Sequence, residues 1–216
     1  MYDKKAFEFK DTKYRSSILT NGLGKSGERA LLYATGMDEE DIKKPFVAVI
    51  GSFSEMVPGH NHLREIADYV KQGIIEAGGV PRQSETIALC DGLCQGHEGM
   101  RYPLPSRDLI ADSVEMVVEA HHFDAMVCIA GCDKIIPGML MAAARLDIPT
   151  VIVTGGPMLP GNVNGNPLFC SCELREFPGR VEAGTCTVDE IKEAEKNTLP
   201  TSGSCAHLGT ANSMCM

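Results

Sequence analysis

The chain of 216 residues has no run approaching the ~18 consecutive apolar residues of a membrane-spanning helix. Its opening, Met1-Tyr-Asp-Lys-Lys, does not have the composition of a signal peptide, so a cytoplasmic protein is expected. Basic residues are in deficit: 20 Lys and Arg face 29 Asp and Glu, a net charge of −9. Phosphate backbones are bound by basic faces, so nucleic acid is excluded as a main partner. No Cys-x-x-Cys pair occurs, which argues against a zinc ribbon or a thioredoxin-type redox site. No internal repeat is present either.

At 44% apolar and 23% charged residues, the composition is that of a globular domain with a substantial core. Cysteine is abundant: Cys90, Cys94, Cys128, Cys132, Cys170, Cys172, Cys186, Cys205 and Cys215. An odd number without secretory features points to free thiols or metal ligands in a reducing compartment.

Residues 1–34 read as an arm plus a short helix over about Glu28 to Tyr33. Gly22-Leu-Gly-Lys-Ser-Gly27 superficially resembles a phosphate loop, but no strand precedes it and the spacing is incomplete, so a connector is expected. From residue 35 onward apolar strands alternate with amphipathic helices. Phe46 to Ile50, Thr86 to Leu89, Ala125 to Ala130 and Pro149 to Val153 read as strands. His62 to Ala77 reads as a helix with Leu63, Ile66, Tyr69, Val70 and Ile74 on one stripe, closed by Gly78-Gly79. Ser106 is expected to cap a helix to about His121 with Leu109, Val114, Val117 and Val118 inward, and Thr187 a polar helix to Lys196. The pattern predicts an α/β fold in three layers, a mainly parallel sheet with helices on both faces. Residues 155–180, rich in Gly, Pro and Asn, form a long loop of the kind that is usually functional. Ser202 to Met214 reads as a turn into a helix still running where the chain stops, as in a truncated domain.

The chemistry gathers at strand ends. Cys132-Asp-Lys134 follows Gly131 directly after a buried strand, and a helix starts near Pro137. Open α/β sheets place ligand crevices there. A thiol, a carboxylate and an amine do nothing for a strand-to-helix turn, so this turn is read as the centre of an active site. Cys90-Asp91 and Cys205 stand beyond two further strand ends. Soft thiolates suit iron–sulfur clusters and hard carboxylates suit Mg²⁺, so two metal centres in one crevice are suggested. Cys128, mid-strand, is expected to be a small buried hydrophobe, and Cys94, Cys170, Cys172, Cys186 and Cys215 to be packing or incidental thiols.

The same stretches carry a resemblance. Pro58-Gly-His-Asn-His-Leu63, Asp91-Gly92 with Gly96-His-Glu-Gly-Met100, Leu104-Pro-Ser-Arg-Asp-Leu-Ile-Ala-Asp-Ser113, Cys132-Asp-Lys-Ile-Ile-Pro-Gly-Met-Leu-Met141, Gly155-Gly-Pro-Met158, Gly203-Ser-Cys-Ala206 and Thr210-Ala-Asn-Ser-Met214 resemble the dihydroxy-acid and 6-phosphogluconate dehydratase family, in its order. The resemblance covers the family's amino-terminal domain and not its β-rich carboxyl-terminal domain. It implies a hydro-lyase that converts 2,3-dihydroxy acids, such as 2,3-dihydroxyisovalerate and 2,3-dihydroxy-3-methylvalerate, to 2-keto acids in branched-chain amino-acid biosynthesis. A sugar-acid or 6-phosphogluconate dehydratase is the alternative within the family. An iron–sulfur redox sensor or a non-catalytic binding fragment is the alternative outside it.

The resemblance further implies an iron–sulfur cluster held in part by Cys132 and Cys205. It implies Mg²⁺ held by Asp91, Asp133 and Lys134, the lysine carbamylated into an anionic oxygen donor. Members with a [2Fe–2S] cluster carry a third cysteine where Gly59 stands here, so [4Fe–4S] is favoured. Cys90 is either a substitute ligand or structural; His60, His62 and His97 either touch substrate or cluster or serve as hydrogen-bonding residues. The catalytic base and a further acidic ligand are expected in the carboxyl-terminal part, a homodimer in the full-length protein, and no activity from the 216 residues alone.

Overall fold

The computed structural model describes residues 4–163, 165–207 and 209. Six strands are present among them: β1 (Phe46–Gly51), β2 (Val80–Glu85), β3 (Ala125–Ala130), β4 (Thr150–Thr154), β5 (Gly161–Val163) and β6 (Asn166–Leu168). The α-helices are α1 (Ser17–Thr20), α2 (Ser26–Ala34), α3 (Leu63–Glu76), α4 (Asp91–Cys94), α5 (Ser106–Ala120), α6 (Ile135–Leu146), α7 (Phe177–Glu182) and α8 (Val188–Asn197). A four-stranded parallel sheet in the order β2-β1-β3-β4 is the centre, and β5 and β6 form a small antiparallel hairpin. The expected α/β architecture is therefore present. None of the described helices is long and apolar enough to cross a membrane.

The sheet is covered on both faces because alternate residues of β1 and β3 point in opposite directions. Ala48, Ile50, Met126, Cys128 and Ala130 pack with Ile110, Val114 and Val118 of α5 and Ile136, Met139 and Ala142 of α6. Val49 and Ile129 face the other way, onto Leu63 and Ala67 of α3, with Ile66, Val70 and Ile74 around them. That spacing along α3 is one stripe of a 3.6-residue period, and the helix ends at Gly78, whose φ of +84° favours glycine. Gly138 lets α6 approach α5 closely: a Cβ there would lie 2.9 Å from Ile110 Cγ2 and 3.0 Å from the Arg107 carbonyl oxygen.

Three expectations are corrected. The strand after α3 is Val80–Glu85, and Thr86 to Leu89 lies beyond its end. β2 pairs with β1 alone, so it is an edge strand; its polar Pro-Arg-Gln-Ser-Glu run suits half-exposure, and Pro81 is tolerated where no second neighbour needs its N–H. Ser106 is the first residue of α5 and not its cap, with its Oγ donating to the Pro103 carbonyl at 2.6 Å. Leu109 points outward, 56% exposed, while Ile110 takes the inward position. The long loop after β4 holds the β5–β6 hairpin, a 3₁₀ turn over Ser171–Glu176 and α7. Thr187 caps α8 as expected, in a reciprocal pair with Glu190. The reading of a helix up to Met214, and Cys215 with it, lies outside the described residues.

The amino-terminal arm docks on the sheet. Asp124, one residue before β3, accepts hydrogen bonds from Ser16 N (3.0 Å), Ser16 Oγ (2.6 Å) and Phe46 N (2.7 Å). Lys10 lies over the Phe46 ring and donates to Ser16 Oγ and the Lys44 carbonyl. Gly22 to Gly27 is a turn into α2, fixed by Arg29 donating to the Thr20 and Gly22 carbonyls at 2.7 Å each.

Candidate metal centre

β1 and β3 are neighbours whose chain connections leave in opposite directions, β1 through α3 to β2 and β3 through α6 to β4. Their carboxyl ends diverge there, and a crevice opens. The turn after β1 carries Gly59 and His60, and the turn after β3 carries Gly131 and Cys132. The two turns nearly touch: a Cβ on Gly131 would lie 2.6 Å from the Gly59 carbonyl oxygen, and one on Gly59 would lie 2.7 Å from Cys132 Sγ. Glycine at both places is what permits the approach.

Cys132 is the most unusual residue of the site. Its φ is +63°, the left-handed region that side chains avoid, at a cost of roughly 1–3 kcal/mol. Burial pushes its thiol up to about 12, with Cys90, Cys205 and the two aspartates adding to the effect. Cys205 is moved in the same direction, first by burial and then by Cys90. Thiols so placed keep their protons until a cation displaces them.

Cys205 reaches this crevice because its segment is stitched across two strand ends. Gly203 N donates to the Pro58 carbonyl (3.0 Å), Ser204 N to the Gly156 carbonyl (3.0 Å), and Met158 N to the Ser204 carbonyl (2.9 Å). Asp91 arrives from beyond β2 as the first residue of α4. Lys134 Nζ donates to Asp91 Oδ2 and Asp133 Oδ2, both at 2.5 Å. The ammonium thus sits between two carboxylates, where their charge would otherwise repel. Burial works against the charged lysine, but its bonds to Asp133 and Asp91 outweigh it and hold the ammonium above its usual range. Asp91 Oδ1 is buried and finds no hydrogen-bond partner among the described residues.

Asp91, Cys132, Asp133 and Cys205 line one cavity of about 310 Å³. Cys90 adjoins the lining residue Gly92, with its Sγ 3.6 Å from where a Cβ on Gly92 would stand. The structure therefore brings together Asp91, Cys132, Asp133, Lys134 and Cys205, with Cys90 adjacent. The histidines are placed otherwise. His60 is fully buried below the Cys132 turn, its Nδ1 2.7 Å from the Ser52 carbonyl oxygen, and burial holds it below the usual imidazole range. His62 Nε2 is hydrogen-bonded to the Gly155 carbonyl (2.8 Å). His97 is exposed and spends both ring nitrogens locally, Nδ1 on Gly99 N and Nε2 on the Leu93 carbonyl.

Cys170, Cys172 and His207 also line the cavity, and the sequence reading missed them. Cys170 and Cys172 are joined as a disulfide, against the expectation of free thiols; a two-residue separation folded into a turn, with Cα atoms 5.2 Å apart, is what puts the sulfurs together. The usable signal was their place inside the long Gly- and Pro-rich loop. Cys128 is wholly buried, and Cys186 packs with Phe177 and Ala194, as small apolar residues do.

A parallel sheet with a crevice of thiols and carboxylates at its strand exits defines the chain as an α/β protein with a candidate metal centre. Residues 44–216 match the family model described as dihydroxy-acid/6-phosphogluconate dehydratase N-terminal. A dihydroxy-acid dehydratase of Methanoregula boonei is 50% identical over 206 residues, which are 95% of this chain and 37% of the relative. Those of Halothermothrix orenii (51% over 199 residues, 92% of this chain, 36% of the relative) and Pyrococcus abyssi (49% over 200 residues, 93% and 36%) are similar. The chain belongs to the dihydroxy-acid/6-phosphogluconate dehydratase family. It spans a little over a third of the length of these curated relatives.

Proposed function

We propose that the chain is the metal-holding part of a hydro-lyase that dehydrates 2,3-dihydroxy acids to 2-keto acids, in the pathway to branched-chain amino acids. The observation that carries this reading is Cys132, held at φ +63° with its thiol in one cavity with Cys205, Asp91 and Asp133. A strained residue persists only where its surroundings enforce it.

The donor set fits both expected groups. The Asp91–Lys134–Asp133 arrangement already balances a positive charge between carboxylates, and the unpartnered Asp91 Oδ1 is a further hard donor, which suits Mg²⁺. Cys132 and Cys205 are soft donors with room left on the Gly59 side, which suits an iron–sulfur cluster. When bound, these groups supply Lewis acidity toward a substrate carboxylate and a departing hydroxyl. The chain's own residues prepare for that. Asp91 and Asp133 fix negative charge at the crevice edge, and Lys134, whose Nζ lies between them, would add a third anionic oxygen donor as its carbamate. Gly59 and Gly131 keep side chains out of the space between the two turns. The base that removes the C2 proton is assigned to the part of the relatives beyond the span of this chain, and a homodimer to the full-length enzyme.

The relatives matched at 49–51% identity are dihydroxy-acid dehydratases, which favours a dihydroxy acid over 6-phosphogluconate. The test uses the anaerobically purified polypeptide at full family length, with Mg²⁺ and 2,3-dihydroxyisovalerate. Iron, sulfide and 2-keto acid formation are expected, all lost in Cys132→Ser. Asp91→Asn should retain iron and lose turnover. Absence of iron under strict anaerobiosis overturns the reading.

A further inference from the structure

We propose that Cys170, Cys205 and His207 form a site for one soft divalent cation, Zn²⁺ or Fe²⁺, at the mouth of the crevice. Their ligand atoms all lie within 4.8 Å of one another. Two sulfurs on a single tetrahedral cation, each about 2.3 Å from it, stand roughly 3.8 Å apart, so small side-chain rotations complete the set.

The backbone carrying these donors is anchored. Glu173 accepts from Phe169 N (2.7 Å) and Cys170 N (2.9 Å), fixing the start of the 3₁₀ turn. His207 N donates to the Phe169 carbonyl (3.3 Å), which ties the two segments to each other. Ser204, adjacent to Cys205, is paired to Gly156 and Met158. Donors held in this way suit a metal site, because little ordering remains when the ion enters.

Cys172 controls access. Its sulfur is bonded to Cys170 in this structure, so Cys170 becomes a donor only after that bond is broken. A water-soluble phosphine does this in one balanced step: the S–S bond cleaves, the phosphine loses two electrons and takes oxygen from water to become its oxide, and two thiols form. On binding the cation, Cys170 and Cys205 release their protons to solvent. The site shares both the cavity and Cys205 with the lyase reading, so it forms in the cluster-free chain, where the cation and the cluster compete for one thiolate.

Co²⁺ is the probe, added to the whole metal-free chain. After phosphine reduction one Co²⁺ per chain is expected, with thiolate-to-cobalt charge transfer and intense tetrahedral ligand-field bands that Zn²⁺ bleaches. Loss of a direct ligand should exceed the roughly 10–100-fold loss seen for outer-shell partners, so Cys170→Ser and His207→Ala should each weaken Co²⁺ binding by at least about 100-fold. Cys172→Ser should bind Co²⁺ with no phosphine. Cys132→Ser should bind Co²⁺ as the parent does, although it should lose iron if the lyase reading holds. Undiminished bands in Cys170→Ser, or their loss in Cys132→Ser, would overturn the proposal while leaving the lyase reading to its own iron and turnover test.

Discussion

Replacing Gly59 by cysteine turns the approach of the β1 and β3 turns into a covalent measurement. The Cβ direction of Gly59 ends 2.7 Å from Cys132 Sγ, the movable end of a side chain. In a disulfide, Cβ stands about 3 Å from the partner sulfur, so a rotation of a few tenths of an ångström lets the bond form. The loop it closes is roughly 70 residues long, and the chain-entropy model then gives about 4 kcal/mol of stabilisation, less whatever strain the turn absorbs. The assay is urea denaturation of the metal-free Gly59→Cys protein with and without reductant, together with peptide mapping of the crosslink. The oxidised form should be more stable by about 2–4 kcal/mol, and the difference should vanish when Cys132→Ser is added. A crosslink to Cys90 or Cys205 instead, or none under mild oxidation, would show that Gly59 does not face the Cys132 thiol and would remove the geometric basis of the crevice.

Asp124→Ala removes the acceptor for Ser16 N, Ser16 Oγ and Phe46 N, and should cost about 2–4 kcal/mol in urea unfolding; a change below about 0.5 kcal/mol would mean that the arm is held elsewhere. Cys128 is wholly buried with its thiol pushed up to about 12 from 9.0 by burial, so the folded state keeps a proton that the unfolded chain loses between those values. Stability should therefore fall with rising pH across that window, by up to about 1.4 kcal/mol per pH unit from this residue, and pH-dependent melts of Cys128→Ala should show a shallower alkaline limb. Gly203→Ala places a Cβ 2.3 Å from Met158 N and 2.6 Å from the Pro157 carbonyl carbon at a φ of +135°, so backbone must move. It should cost about 1–3 kcal/mol and displace Cys205; iron binding equal to that of the parent would argue against Cys205 as a ligand.

Much of the sheet was legible because its central strands obey simple rules. β1 and β3 are buried on both faces and read as short β-branched runs, and α3 shows its stripe plainly except at Tyr69, which the structure leaves 68% exposed on the outer side. β2 was misplaced because an edge strand need not be apolar, and Thr86-Ile-Ala-Leu89 offered the apolar run that the real strand lacks. Leu109 misled for a related reason: hydrophobicity names residues that can be buried, while the packing of α6 against α5 decided that Ile110 would be. The turn after β3 stood out from the sequence, since a thiol, a carboxylate and an amine side by side are called for neither by the strand before it nor by the helix after it. Cys170 and Cys172 did not, because nothing in a Cys-x-Cys pair within a loop tells where the loop will lie.

The residues of this site share no spacing because they leave the sheet by different exits. Asp91 follows β2, Gly59 follows β1, Cys132 and its two neighbours follow β3, and Cys205 is drawn in by the bonds of Ser204 to the end of β4. Their convergence is a property of strand order, β2-β1-β3-β4, and of the reversal between β1 and β3, which no local window of sequence contains. The soft donors lie at the reversal itself, where Gly59 and Gly131 bring two turns into contact. The hard donors lie on the β2 side, reached from β3 by Lys134 across to Asp91. Asp91, Cys132, Asp133 and Cys205 thereby line one cavity although no two of the three segments that carry them are neighbours in the sequence.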